Sequence, residues 1–361
     1  MITDQRCDLL ASGTARCLLW SGAWPALWVT VISCGYPELP AICGDPDPVA
    51  DGTGYLELTS PSCAGLAATC GPGESASCCE AAMVPSGRFY RGCDKAADEQ
   101  YKDMQHPATV STFVLDRFEV TVGRFRTFVN AGGGTQSKAP AAATGAHPGL
   151  SNSGWDSTWN AKLSVDIMTL ESSVKCNPQY QTWTDAPGLN ENKPMNCVDW
   201  YEAMAFCIWD GGFLPTEAEW NFAASGGSEH RAYPWSVPAS STIIDCGYAN
   251  YQISDNPAMY CTNGGTGGVN RVGSESPTGD GKWGHSDLAG NVFEWTLDWY
   301  AAVYSEPCAD CANVTMSDSG ERVLRGGSLF NDVSSLRSDY RLSHGPSVRA
   351  NSYGWRCARS P

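Results

Sequence analysis

Gly212-Phe-Leu-Pro-Thr-Glu-Ala-Glu-Trp220 marks the start of a helix. Thr216 has the side chain to cap the first turn, and Glu219, three residues on, can reach back to the cap's own N–H. Trp220, Ala223 and Ala224 follow at spacings suited to packing. The same signal occurs upstream in Asp199-Trp-Tyr-Glu202, where Trp200, Ala203, Met204 and Cys207 form one apolar face before Gly211 and Gly212 end the helix. Earlier still, the β-branched and aromatic residues of VSTFVLDRFEVTV, Val110 to Val122, partly alternate with polar ones and read as a strand or hairpin. A helix should follow through Phe125, Phe128 and Val129 and stop at Gly132 to Gly134. Residues 131–165 read as a long surface insertion pinned by Trp155 and Trp159. Beyond residue 226 the chain is glycine-rich, with short strands and turns and no internal repeat. The pattern is α+β.

The 361 residues, 42% of them hydrophobic, can bury a substantial core, and 38 Gly, 22 Pro and 14 Trp point to irregular backbone anchored by large aromatics. A formal charge of −16 without a Lys/Arg cluster excludes nucleic acid as a partner on electrostatic grounds. Such acidity fits a calcium-containing environment, or serves solubility alone. Seventeen cysteines indicate an oxidising compartment. Arg6 and Arg16 precede an apolar stretch, Cys17 to Ile32, that is short for a membrane span and reads as an export signal. Val31-Ile-Ser-Cys34 resembles a bacterial lipobox, with Cys34 as the lipidated mature N-terminus; an uncleaved anchor or ordinary signal cleavage nearby are the alternatives. These features divide the chain into a signal peptide over 1–33, a lipid-anchored tether and cysteine-rich segment over 34–81, and a domain over 82–361. Residues 44–54 form the solvated part of the tether. Cys63, Cys70, Cys78, Cys79 and Cys93 suit a small stapled segment, in which the adjacent Cys78 and Cys79 pair elsewhere, since bridging neighbours is strained.

Phe118-Glu-Val-Thr121, Pro194-Met-Asn-Cys-Val-Asp-Trp200, Gly212 to Trp220, Tyr233-Pro-Trp235, Asp287-Leu-Ala-Gly-Asn-Val-Phe-Glu-Trp295, Arg325-Gly-Gly-Ser328 and Gly354-Trp-Arg-Cys357 occur in this order. As an ordered set they resemble the formylglycine-generating enzyme (sulfatase-modifying factor) family. The resemblance implies a C-type-lectin-like fold with little regular secondary structure. Each segment also has a plain structural role, so the set identifies a scaffold before it identifies an activity.

In that family two cysteines, five positions apart beyond the Arg-Gly-Gly-Ser turn, hold copper(I). Here the matching positions are Asn331 and Leu336, neither of which can replace a thiolate. No catalytic residue is therefore carried over, and copper is not expected. Ala224 and Arg341 stand where relatives carry a structural disulfide, so both halves of that bridge are missing. Cys207 and Cys357 match a second family disulfide, which would restrain the unfolded chain by at most ~5 kcal/mol.

The resemblance also implies a calcium ion held by the Asp287 and Glu294 side chains with the Gly290 and Val292 carbonyls, an all-oxygen set. The alternative is a β-turn with solvated carboxylates. Asn250 resembles part of a second calcium site whose downstream carboxylate is not identifiable. His106, His147, His230, His285 and His344 lack metal-ligand spacing. This also argues against the iron-dependent sulfoxide synthases that contain a similar domain. Ser343-His344 with Asp339 makes an unpromising triad, since adjacent Ser and His rarely face each other. Cys308-Ala-Asp-Cys311 invites a redox reading, but Pro307 and Asn313-Val-Thr315 favour a local structural disulfide on a surface turn.

The functional expectation is an exported envelope or extracellular protein that binds or scaffolds without catalysis; a sulfatase-modifying oxidase making formylglycine, or altered chemistry, is the alternative. Leu329 to Tyr353 should stay exposed and present Asn331, Asp332, Arg337, Tyr340, Arg341 and His344 to a protein, peptide or glycan ligand. A merely solvated loop is the other reading. Membrane contact is expected only through the lipid anchor.

Overall fold

In the computed structural model the described residues are 54–92, 106–253, 260–261 and 268–361, with the backbone of two short strands nearer the N-terminus. Those strands, β1 (Arg6–Leu9) and β2 (Ala15–Leu18), pair antiparallel within a unit spanning Met1–Ile42. The remainder of that signal segment, Cys34, residues 44–53 of the tether and Cys93 lie outside the described residues. The second unit, Cys43–Pro361, carries everything below.

Three small sheets build it. The first has the order β11-β10-β8-β12 (Arg341–His344, Arg322–Arg325, Phe293–Trp299, Tyr353–Gly354). The second runs β13-β7-β4-β3 (Ala358–Arg359, Phe113–Asp116, Glu80–Val84, Tyr55–Glu57) and the third β5-β6-β9 (Gly87–Tyr90, Pro107–Val110, Cys308–Ala309). Every residue of β8 is buried, so this strand has no solvent face and shows no alternation. Helices α1 (Val122–Asn130), α2 (Ile167–Ser173), α3 (Trp200–Trp209) and α4 (Glu217–Ala224) are the α-helices among the described residues, joined by short 3-10 turns. Few helices and short strands joined by long ordered loops are consistent with the C-type-lectin-like α+β expectation.

The helix starts follow the sequence closely. Thr216 accepts from the Glu219 N–H while Glu219 accepts from the Thr216 N–H, a complete capping box. Asp199 accepts from the Glu202 N–H, but the Glu202 carboxylate does not return to the cap; it takes Arg349 instead. The strand expected through Val122 resolves into β6 and β7, and Val122 is already helical because Thr121 caps α1 by accepting from Arg124 N. Nor does α3 show one apolar face: it is buried from Trp200 to Cys207, and α4 is buried throughout. Their polar side chains are carried inside with partners, which erases the amphipathic contrast. Edge-to-face contacts of Phe125 with Trp183 and Trp355, and of Phe206 with Trp355, mark the centre of the main core. Trp155 and Trp159 also meet edge-on, and Trp159 continues onto Trp200, which ties the 131–165 segment to that core.

The cysteine-rich segment is not a separate piece. Cys63–Cys79 and Cys70–Cys78 close, with Cys78 and Cys79 in different bridges. The sheet then runs straight across the boundary expected at residue 82, because β4 spans it and pairs with both β3 and β7. Ser62 is fully buried: its N–H donates to Asp210 and its hydroxyl accepts from Arg124 Nε. Arg124 and Arg359 both bridge Asp116 and Asp210, a four-charge network with two cations and two anions. Cys176–Cys197, Cys207–Cys357, Cys246–Cys261 and Cys308–Cys311 are the other bridges among the described residues. Cys207–Cys357 joins α3 to the C-terminal segment across a sequence separation of 150.

Candidate functional site

The Asp287–Glu294 turn is wound tightly, with Asp287 and Asn291 at φ 59° and Gly290 at φ 85°. Only glycine fits at 290, where a Cβ would stand 2.5 Å from the Asn250 carbonyl. Two flanking segments clamp the turn. Asn291 N donates to Asn250 O at 2.8 Å, Gly290 N to Gly326 O at 2.9 Å, and Leu329 N to Asn291 O at 3.0 Å. Three of the sequence motifs thus meet at one place: the Asn250 loop, the Asp287–Trp295 segment and the Arg325-Gly-Gly-Ser328 turn.

Carboxylates are in excess there. Glu294 is fully buried; its Oε2 accepts from Trp220 Nε1 at 2.9 Å and from Arg356 Nε at 2.7 Å, and its Oε1 from Arg356 Nη2 at 2.7 Å. Asp287 accepts from the Gly273 N–H at 2.6 Å. Burial pushes the Asp287 carboxyl up to about 6, with Asp280 and Glu294 adding to the rise against the Gly273 N–H and Arg356. Glu119, equally buried, accepts from Asn291 Nδ2 through one oxygen, while Oε1 has no partner among the described residues. Its carboxyl is raised well above the ordinary range by burial, then by the charges of Asp287 and Glu294. Arg356 is the cation that serves this group.

Among the described residues no three His, Cys, Asp or Glu side chains form a metal-holding cluster. The calcium set drawn from the resemblance is of another kind, two carboxylates and two carbonyls, and the Gly290 and Val292 carbonyls receive no hydrogen bond among the described residues. Unfilled carbonyls beside surplus buried carboxylates suit a hard divalent cation. Asn250 Oδ1 is likewise buried without a donor, while its Nδ2 donates to Gly268 O and Asn291 Oδ1.

Asn331 and Leu336 occupy closed positions. Asn331 Oδ1 accepts from Ser328 Oγ at 2.6 Å and its carbonyl from Gln252 N at 3.0 Å. Leu336 is fully buried in an apolar cluster with Tyr233, Trp235, Tyr251 and Cys261. Between them a short 3-10 turn, Val333–Leu336, is capped by Asp332, which accepts from Ser334 N.

A family model described as "Sulfatase-modifying factor enzyme 1-like domain" matches residues 67–361. The chain belongs to that family. Curated members it is similar to include the formylglycine-generating enzyme of Mus musculus, 29% identical over 294 residues, which cover 76% of this chain and 73% of that protein. The inactive C-alpha-formylglycine-generating enzyme 2 of Bos taurus is 28% identical over 293 residues, 76% of this chain and 86% of that one. Among solved structures, PvdO from Pseudomonas aeruginosa shares the fold at TM-score 0.54 and 18% identity, covering 87% of this chain and all of PvdO. The sulfatase-modifying-factor match begins at residue 67, inside the cysteine-rich segment, in keeping with a sheet that includes β4.

Within this family framework, the surface expected over Leu329 to Tyr353 differs from the expectation. Leu329, Ser335, Leu336, Ser338 and Asp339 are buried, and of the six side chains named for ligand contact only Asp332 is exposed. Arg341 is turned into a bidentate ion pair with Glu217, at 2.5 and 2.8 Å, and lies over the Tyr300 and Tyr304 rings. Tyr340 packs toward Phe293 and His344 toward Tyr353. Arg337 lies 3.9 Å from Asp339. Tyr340 and His344 thus join the Phe293–Tyr353 ring group while Arg341 is turned to Glu217. The reason is electrostatic: Glu217, at the first position of a buried helix, needs a counter-charge, and Arg341 from β11 with Arg325 from β10 supplies it. Glu217, Glu119 and Arg356 were not singled out from the sequence. The only local hint was two carboxylates, Glu217 and Glu219, at the start of a helix whose other residues, Asn221 apart, are apolar.

Proposed function

We propose that this protein is a non-catalytic member of the sulfatase-modifying factor family, exported to the cell envelope or beyond and used there as a binding scaffold. The observation that carries the proposal is the pair Asn331 and Leu336: an amide held by Ser328 and an aliphatic side chain packed completely into an aromatic cluster. Neither offers a soft donor, so copper(I) has no ligand at these positions. The disulfides and the acidic charge support an oxidising, extracytoplasmic setting. Attachment to the membrane would come from acylation of Cys34, and calcium held by Asp287, Glu294 and the carbonyls of Gly290 and Val292 would brace the scaffold. The ligand class is a protein, peptide or glycan, met by the exposed rim from Asp332 to Ser334.

A second reading, conversion of a substrate cysteine to formylglycine, is kept because relatives at this identity include proteins named as that enzyme. Incubation with copper(I), oxygen and a Cys-x-Pro-x-Arg peptide separates the two: aldehyde formation favours the oxidase, and an unchanged peptide favours the scaffold.

A further inference from the structure

Cys308-Ala-Asp-Cys311 runs along the edge of the third sheet, where β9 pairs parallel with β6. Asp310 takes a left-handed conformation, φ 45°, its N–H donates to Thr109 O at 2.8 Å, and its carboxylate accepts from Ser111 N and Oγ. This pins the turn and brings the two sulfurs together. Cys308 is buried in the cluster of Val84, Phe89 and Phe222, whereas Cys311 is half-buried at the cluster's edge.

Arg91, only 4% exposed, donates from Nη1 to Cys311 Sγ at 3.4 Å and from Nη2 to Ser305 O at 2.7 Å, with its guanidinium 4.5 Å from the centre of the Tyr304 ring. Among the described residues its Nε has no partner and no carboxylate forms an ion pair with it. Glu217 and Asp298 act on this guanidinium from a distance without bonding to it, and a neutral disulfide sulfur is a weak acceptor for a buried cation. A thiolate at Cys311 would give Arg91 a directly bonded negative partner. The other titratable groups around the turn are already engaged: Asp310 on Ser111, the His106–Glu306 pair at 2.7 Å, Glu217 on Arg341, Asp298 on the Glu217 and Asn313 N–H groups, and His147 on Glu219. The Tyr304 hydroxyl is pushed up to about 12, first by burial and then by Glu217, so it stays neutral.

We propose that Cys308–Cys311 is a thiol–disulfide exchange site for a protein dithiol or disulfide, with Arg91 holding Cys311 as the reactive thiolate. In the reducing direction a partner thiolate attacks the more accessible Cys311 sulfur; the partner–Cys311 bond forms, the Cys308–Cys311 bond breaks, and Cys308 leaves as a thiolate and takes up a proton. The partner's second thiol then attacks the mixed disulfide. The partner departs as a disulfide, having given up two electrons, and Cys311 is released beside Arg91. In reverse, the Cys311 thiolate attacks a partner disulfide and Cys308 resolves the intermediate. Arg91 is a positioning residue, acting through the sulfur and not on the partner.

The test uses the full oxidised chain and dithiothreitol as the dithiol probe, with timed quenching, alkylation and mass spectrometry of each cysteine pair. Cys308–Cys311 should open at least about tenfold faster than Cys207–Cys357, and the pH profile of iodoacetamide reaction at Cys311 should have a midpoint below the ~8.5 of an ordinary thiol. Arg91→Gln should raise that midpoint and Arg91→Lys should restore most of the difference. Opening no faster than Cys207–Cys357, a wild-type midpoint at or above the ordinary value, or a profile unmoved by Arg91→Gln would each overturn the proposal and leave the bridge a local staple. The first two readouts need no variant, so misfolding of Arg91→Gln does not blunt the test.

Discussion

The Asp287–Glu294 turn and the Leu329–Tyr353 segment both touch the Arg325–Ser328 turn, yet they balance charge in opposite ways. At the first, buried carboxylates of Asp287, Glu294 and Glu119 share one guanidinium, Arg356. At the second, Arg341 grips Glu217 and Arg349 grips Glu202 and Asp199, each through two or more hydrogen bonds. A region short of positive charge suits a cation, whereas Glu217, faced by both Arg341 and Arg325, is already neutralised and held in place. The stretch expected to be an adaptable ligand surface is therefore the more rigidly paired of the two, and the tightly wound turn is the one with an unmet electrostatic demand.

The largest effect should come from breaking the single cation of the first region. Arg356→Met strands Glu294 in the interior and should cost about 3–5 kcal/mol, read as a lowered urea midpoint. Loss below about 1 kcal/mol would mean that Glu294 finds water or another partner. Arg341→Met is the matching cut in the second region. It should destabilise by a smaller but similar amount, because Arg325 still stands 3.5 Å from Glu217. If it leaves stability unchanged and instead alters ligand capture, the segment is a surface after all.

Calcium should separate the regions next. At a hundredfold excess over its dissociation constant it should add about 2.7 kcal/mol, seen as a higher melting temperature that a chelator reverses. Glu294→Ala should abolish that difference, while Arg349→Met should preserve it; identical melting of wild type and Glu294→Ala in both conditions removes the proposed ligand set.

Proton linkage reads the same charge balance without a variant. Asp287 is raised from 3.8 to about 6 by burial, so without calcium its contribution is present in full below pH 4 and is lost as pH rises through about 6. Asp199, raised to about 8 by burial and by Glu202, follows the same sign, its contribution being lost as pH rises through about 8. Asp199→Asn keeps the helix cap and should flatten the decline between pH 6 and 8, whereas added calcium should flatten the one centred near pH 6. A stability profile that instead rises across this range in chelator would contradict the assigned charge balance.

What the sequence disclosed was mostly local. The Thr216–Glu219 capping box and the Asp199 cap are set by residues three apart, and the motif order placed Cys207 opposite Cys357 by family resemblance. Partnerships without a local signature stayed hidden: Arg341 with Glu217 lies 124 residues away, and Arg91 with Cys311 lies 220 away. Glu202 had the spacing of a capping residue, but a guanidinium at Arg349 is a stronger partner than a backbone N–H and won it. The exposure of Leu329 to Tyr353 was misjudged because polar composition does not distinguish solvated side chains from internally paired ones. The boundary at residue 82 was misplaced for a related reason: a cysteine-dense stretch looks self-contained until its strand is seen in a larger sheet.

The central claim is that Asn331 and Leu336 leave the family fold without its chemistry. The most direct measurement is the mass of a Cys-x-Pro-x-Arg peptide after prolonged incubation with the purified full chain, copper(I) and oxygen. The account predicts a peptide whose cysteine is not converted to an aldehyde, the same as in a protein-free control. Loss of the cysteine sulfur with appearance of a hydrazide-reactive aldehyde, at turnover above one per protein, would contradict it.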